Sequence, residues 1–221
     1  VRRLQRAAMA TEPSWEFSDG ARHNFSPASA RQDAGLYVSA APCAELPGWG
    51  TGEMDIGLRM MSLTSWLDLI FKCKIKHVVV LMDQQELDGR YRDLGDGDLG
   101  ATCRGQGLTF HHTPLCEGWP SLSAAADALA ALQSVQPSGA SPAVVVCRDG
   151  RGASAGVAAA WLALHCDQAP ADAVAAVEVT AERFQAGRAP LKAFEGQTEG
   201  AAGAGESFAA FLSEVSKLAG T

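Results

Sequence analysis

Valine and other β-branched residues gather in short runs bounded by glycine, proline or charge: GLYVSAAP (35–42), KHVVVLM (76–82) and SPAVVVC (141–147). Such runs predict buried strands, and LTFHHTP (108–114) is a fourth. Between them the apolar positions take helical spacing. LTSWLDLIFKC (63–73) sets Trp66, Leu67, Ile70 and Phe71 on one face, with Thr64 placed as a cap. SLSAAADALAALQSV (121–135) lines up Leu122, Ala126, Leu129 and Leu132, and GASAGVAAAWLALHC (152–166) follows the third valine run directly. PADAVAAVEVTAERF (170–184) opens with Pro170 and turns Val174, Val177 and Phe184 inward. A last amphipathic helix carries Phe208, Phe211, Leu212, Val215 and Leu218. Strands alternating with helices predict an α/β domain: a mainly parallel central sheet flanked by helices on both faces.

The remaining segments lack a period. Residues 1–33 read as an extended N-terminal arm, leaving 34–221 as the domain. Gly50, Gly52 and Gly57 form a loop without the spacing of a dinucleotide fingerprint. Residues 83–107 read as a solvated loop; counted from Asp93, its twelfth residue is Arg104, where a calcium loop needs glutamate. EGQTEGAAGAGE is a low-complexity connector. VRRLQRAAMA has three arginines and no acid, which leaves open a transit-peptide remnant or a cropped chain.

Composition narrows the function classes. At 221 residues and 47% hydrophobic content the chain can bury a substantial core. A formal charge of −7 argues against general nucleic-acid binding, and no apolar run reaches the length of a membrane span. Six scattered cysteines without a CxxC pair fit free thiols in an intracellular, reducing compartment, the cytoplasm before an organelle. They suggest neither a metal site nor a cofactor.

The chemistry gathers at VVVCRDGRGASAG (144–156). A strand that ends at Cys147 and turns into a helix aims backbone N–H groups and the positive end of the helix dipole at one spot. That field suits an anion and is expected to lower the thiol pKa. Gly150 and Gly152 supply backbone freedom, and Ser154 is placed to bond the sulfur. With these residues the chain resembles the cysteine-dependent protein tyrosine and dual-specificity phosphatases, whose loop reads H-C-x-x-G-x-x-R-[ST]. Within them it is most similar to the kinase-associated, cyclin-dependent-kinase-inhibitor type, whose acid loop resembles LTFHHTPLCEGWPS (108–121). The resemblance spans about residues 35–218 and implies a dual-specificity phosphatase-like fold.

It also implies roles. Cys147 falls on the nucleophile, Gly150 on the loop glycine, Ser154 on the terminal hydroxyl and Glu117 where an aspartate general acid is expected. Arg148, Asp149, Gly150, Arg151, Gly152 and Ala153 fall on the phosphate-binding loop. Three positions depart from the pattern: Val146 stands for the histidine, Ala153 for the arginine and Glu117 for the aspartate. The arginine clamps phosphoryl oxygens, and losing one such donor costs roughly 3–4 kcal/mol, about a hundred- to thousandfold in rate. Lengthening the acid by a methylene displaces it by about 1 Å, which costs on the order of a hundredfold. The departures imply a pseudophosphatase that serves as a binding or structural subunit, with a protein partner and a phosphorylated or acidic ligand. The competing expectation is a weak or atypical phosphatase. Arg148 and Arg151 also resemble the basic positions of the phosphoinositide-type loop C-K-x-G-K-G-R-T. A rhodanese-like reading of VVVCRDG is disfavoured because Gly152 stands where that family has an arginine. Cys116 beside Glu117 is a candidate redox partner of Cys147, and Gln197 stands in the region of a water-aligning glutamine. His111 and His112 are expected to be structural.

Overall fold

The computed structural model describes residues 17–30, 35–48, 55–94, 97–114, 122–135, 141–191 and 204–219. Five strands form one sheet in the order β1-β2-β5-β3-β4: β1 (Ser26–Pro27), β2 (Leu36–Ala40), β3 (His77–Val80), β4 (Thr109–His112) and β5 (Ala143–Cys147). All neighbours are parallel except β1, which pairs antiparallel with β2. The most apolar run, AVVVC, takes the centre and is buried throughout. Its register sets Ala40 of β2 beside Cys147, and Val80 of β3 beside Val146. Ala41 then donates to the Cys147 carbonyl and Leu81 to that of Val146, each at 2.8 Å, so pairing continues to the last residue before the loop.

The helices are α1 (Phe17–Arg22), α2 (Ile56–Lys72), α3 (Gln84–Tyr91), α4 (Leu99–Gly105), α5 (Leu122–Val135), α6 (Ala153–His165), α7 (Pro170–Arg183) and α8 (Ala204–Ala219). Alternate strand residues feed two apolar clusters, because successive side chains leave a strand in opposite directions. Val79 and Val145 join Leu129 and Leu132 of α5, Trp161 of α6, Val177 of α7, and Phe208 and Phe211 of α8. Val78, Val80, Val144 and Val146 join Trp66 and Ile70 of α2, Leu87 and Tyr91 of α3, and Cys103 of α4. Each fully buried valine contributes about 1.5–3 kcal/mol. The buried indole N–H of Trp66 donates to Ser39 Oγ at 3.0 Å, which ties α2 to β2. Trp66 is a core residue, as its helical spacing predicted, and Trp161 is buried as well.

Three segments differ from the sequence expectation. Residues 17–30 are not extended throughout: α1 and β1 form there, Phe25 and Ala28 are buried, and Ser26 pairs with Val38. The solvated loop expected over 83–107 instead holds α3 and α4. Asp83 and Asp98 accept from Glu86 N at 2.6 Å and Ala101 N at 2.5 Å, capping two helices too short to show a period. Helix α2 starts before the expected cap at Thr64, because Asp55 accepts from Leu58 N at 3.0 Å. On α8 the expected inward stripe holds except Leu218, which is 61% exposed.

The histidines give the fold a pH dependence. His77 and His111 have ring centroids 6.4 Å apart on β3 and β4. Nδ1 of His77 and Nε2 of His111 are buried without a hydrogen-bond partner among the described residues. Burial holds both imidazoles below their ordinary value of 6.5, and at His77 the neighbouring His111 adds to this. Burial lowers His165 as well, whose ring lies 4.1 Å from that of Trp161. The fold favours neutral imidazole, so this stability is present above the unfolded value and is lost as pH falls through it toward the folded values. Urea denaturation is therefore expected to show stability falling as pH drops below about 6.5, and His77→Gln/His111→Gln is expected to flatten that slope.

Candidate active site

Burial of β5 delivers Cys147 to the C-terminal edge of the sheet, and the chain turns at once into α6. Gly150 makes that turn possible. It has φ +70°, and a Cβ there would lie 2.5 Å from Ala40 N. No other residue type combines that backbone with that approach. Gly152, by contrast, has φ −92° and open space around its Cβ position, so the freedom expected at both glycines is used at the first alone.

The Cys147 sulfur lies 3.0 Å from Ser154 Oγ, and the backbone N–H groups of Ser154 and Gly150 also bond it. Asp149 faces it as well, its Oδ1 3.7 Å from the sulfur and accepting from the thiol. The sulfur is nevertheless not the low-pKa thiolate that the helix dipole suggested. Burial pushes the thiol above its ordinary value; Ser154 opposes that rise and Asp149 reinforces it. Cys147 is 6% exposed.

The flanking residues are largely committed to protein contacts. Arg148 Nε donates to Glu86 Oε1 at 2.6 Å, and that carboxylate also takes Arg90 of α3 at 3.2 Å. Asp149 Oδ1 accepts from Arg151 N at 2.9 Å. Atoms of the Arg151 guanidinium lie 3.7–3.9 Å from the Cβ position of Gly187, so this arginine leans toward the segment after α7. Ala153 stands at the start of α6 with its methyl packed against the apolar cluster, and Val146 is fully buried in the other cluster. Glu117, Cys116 and Gln197 lie outside the described residues. His112 Nε2 donates to the Met82 carbonyl at 2.8 Å, joining the two strand ends.

Two residues that sequence reasoning did not single out complete the surroundings. Asn24, at φ 46°, donates through Nδ2 to the Asp149 carbonyl at 2.8 Å and the Gly187 carbonyl at 3.0 Å, and its Oδ1 accepts from Gly187 N at 2.7 Å. Arg188 places Nη2 on the carbonyls of Asn24 (2.6 Å) and Val38 (3.0 Å) and on Ser26 Oγ (3.1 Å). Ala189 N donates to the Arg151 carbonyl at 3.1 Å. The one hint in the sequence was polar residues in otherwise unremarkable loops.

Among the described residues no group of three His, Cys, Asp or Glu side chains is placed to hold a metal ion, and no helix is long and apolar enough to cross a membrane. No protein-family model matches the chain, and no curated protein matches it. Solved structures do. The crystal structure of PTPMT1 shares 16% identity, covering 89% of this chain and 98% of its own, with a TM-score of 0.55. PTPMT1 in complex with PI(5)P gives 16% identity over 86% and 97%, with a TM-score of 0.53. Tk-PTP in the active form gives 16% identity over 86% and 97%, with a TM-score of 0.50. The chain has the fold of the protein tyrosine/dual-specificity phosphatases.

Two outcomes test this geometry. Gly150→Ala is expected to cost more than the roughly 1–3 kcal/mol of left-handed strain alone, because backbone must also move away from Ala40; urea denaturation reads the loss. Alkylation of Cys147 by iodoacetamide, followed site by site by mass spectrometry, is expected to have its midpoint above the ordinary thiol value of 9.0. Asp149→Asn is expected to lower that midpoint.

Proposed function

We propose that this protein is a pseudophosphatase: a phosphatase-fold module that retains the backbone cradle and binds a protein partner without turning over phosphomonoesters at ordinary rates. The observation that carries the reading is the state of the loop itself. Position 153 contributes a methyl packed on the core where the resembling loops place an arginine, and a carboxylate, Asp149, faces the sulfur. A thiol held protonated by burial is a poor nucleophile at neutral pH, because the thiolate is the attacking species. Arg148, occupied by Glu86, is not poised to replace the clamp.

In this reading the 148–153 loop is the binding surface, lying over a buried Cys147 and Ser154 at the end of a sheet covered by helices on both faces, and Glu117 is a vestige of the general acid. The resemblance to kinase-associated phosphatases favours a phosphorylated or acidic protein segment as ligand. Free thiols at Cys43, Cys103 and Cys147 suit a reducing intracellular compartment.

The second reading, a slow cysteine-dependent phosphatase, is favoured by one contact, the 3.0 Å Cys147–Ser154 pair. There Cys147 would attack phosphorus as the ester oxygen leaves with a proton, and water would then release phosphate from the cysteinyl-phosphate. A phosphoinositide is that reading's lipid substrate, by analogy with the PI(5)P complex of PTPMT1.

Turnover of an aryl phosphate separates the two. The wild type is expected to match Cys147→Ser, with both at least a hundredfold below an ordinary phosphatase rate, as loss of one charge-stabilising donor implies. Turnover at ordinary rates that vanishes in Cys147→Ser would sink the non-catalytic reading. Ala153→Arg is expected to restore only part of the rate, since the exchanges at 117 and 146 remain.

A further inference from the structure

The charge missing at position 153 has a counterpart elsewhere in the fold. Arg188 follows α7 by five residues and is brought to the loop by three ties: Asn24 joins the carbonyls of Asp149 and Gly187, Gly187 N donates to Asn24 Oδ1, and Ala189 N donates to the Arg151 carbonyl. Its guanidinium donates to the carbonyl of Val38, which is paired with Val145 two residues before Cys147.

What surrounds that guanidinium is unusual for an arginine. Nη1 and Nη2 rest on three carbonyls and one hydroxyl, all neutral. Nε is buried without a hydrogen-bond partner, and none of the acceptors of Nη1 and Nη2 is a carboxylate. An arginine held only by neutral acceptors keeps most of its field unspent, and in a poorly solvated setting that field acts on nearby ionisable groups. We infer that Arg188 is a positioning residue that supplies positive potential at Cys147 that the chain no longer carries at position 153. The inference deepens the proposed reading: it identifies what keeps the cradle cationic once its own arginine is gone.

The charges acting on Arg188 agree. Burial lowers its pKa to about 9, while Cys147 and Asp149 pull it back up and Arg151 opposes them. The guanidinium therefore remains protonated at neutral pH. Coupling is mutual, so a charged Arg188 favours the Cys147 thiolate and any anion held beside it, acting from farther away than burial, Ser154, Asp149 and the Gly150 and Ser154 N–H groups, which bear on the sulfur directly. Asp149 is the opposing charge at the sulfur, and Arg151 is the other cation that acts on Arg188.

The test is the pH profile of Cys147 alkylation by iodoacetamide, read at that cysteine by mass spectrometry, with inorganic phosphate as competing anion. Arg188→Gln is expected to move the midpoint up by about half to one pH unit, slowing alkylation at pH 8 roughly three- to tenfold, and to weaken protection by phosphate. Arg188→Lys keeps the charge and is expected to stay within about 0.3 of the wild-type midpoint. An unchanged profile in folded Arg188→Gln overturns the inference. Where Arg188→Gln does not fold, Arg188→Lys decides alone. Its ammonium cannot span the same acceptors, so a midpoint displaced by a unit or more would show that the fork geometry mattered and not the charge. Aryl phosphate turnover, which judges the non-catalytic reading, is a separate measurement and leaves this profile untouched.

Discussion

The site depends first on the close approach of Gly150 to β2. Its α-carbon sits where any side chain would strike the backbone of Ser39 and Ala40, and the latter residue is paired with Cys147. This contact presses the loop onto the sheet end, turns the N–H groups of Gly150 and Ser154 toward the sulfur, and sets the direction in which α6 leaves. A bulkier residue at 150 would have to lift the whole turn. The cradle therefore persists for a steric reason that is independent of whether any chemistry occurs in it.

Within that cradle, opposing electrostatic effects of different size decide the state of the thiol. A helix N-terminus favours negative charge by about 0.3–1 kcal/mol, rising to around 2 in partly buried geometries. Desolvation of a buried group shifts a pKa by up to about 3–5 units, which is several kcal/mol. Burial of Cys147 among the ends of three strands therefore outweighs the dipole, and Asp149 adds to the burial. The Ala153 methyl, packed against the core, supplies no opposing charge. Arg188 offsets part of this from a position that costs the pocket no space.

Much of the fold was legible along the chain. The valine runs became β2, β3 and β5, and the long helices matched their apolar stripes within a residue or two at most ends, because period and burial coincide in elements with a full apolar face. What escaped was short or distant. Helices α3 and α4 rest on caps at Asp83 and Asp98 and on a few buried residues such as Leu87, Tyr91 and Cys103, too few for a stripe. Residues 17–30 gain their structure by pairing with β2 and burying Phe25, which no local pattern announces.

The sequence by itself determined that a cysteine would stand at the end of a buried strand with a glycine three residues on, and that position 153 carries no charge. Those are properties of neighbouring residues, and a strand, a turn and a helix read them directly. Only the tertiary structure decided the chemistry of that cysteine. It alone places Asp149 against the sulfur, ties Arg148 to Glu86, brings Asn24 to the loop across more than a hundred residues of chain, and sets Arg188 on Val38 of β2. Electrostatic potential depends on distance through the folded molecule and on how much water is excluded, and neither quantity exists until the chain has closed on itself.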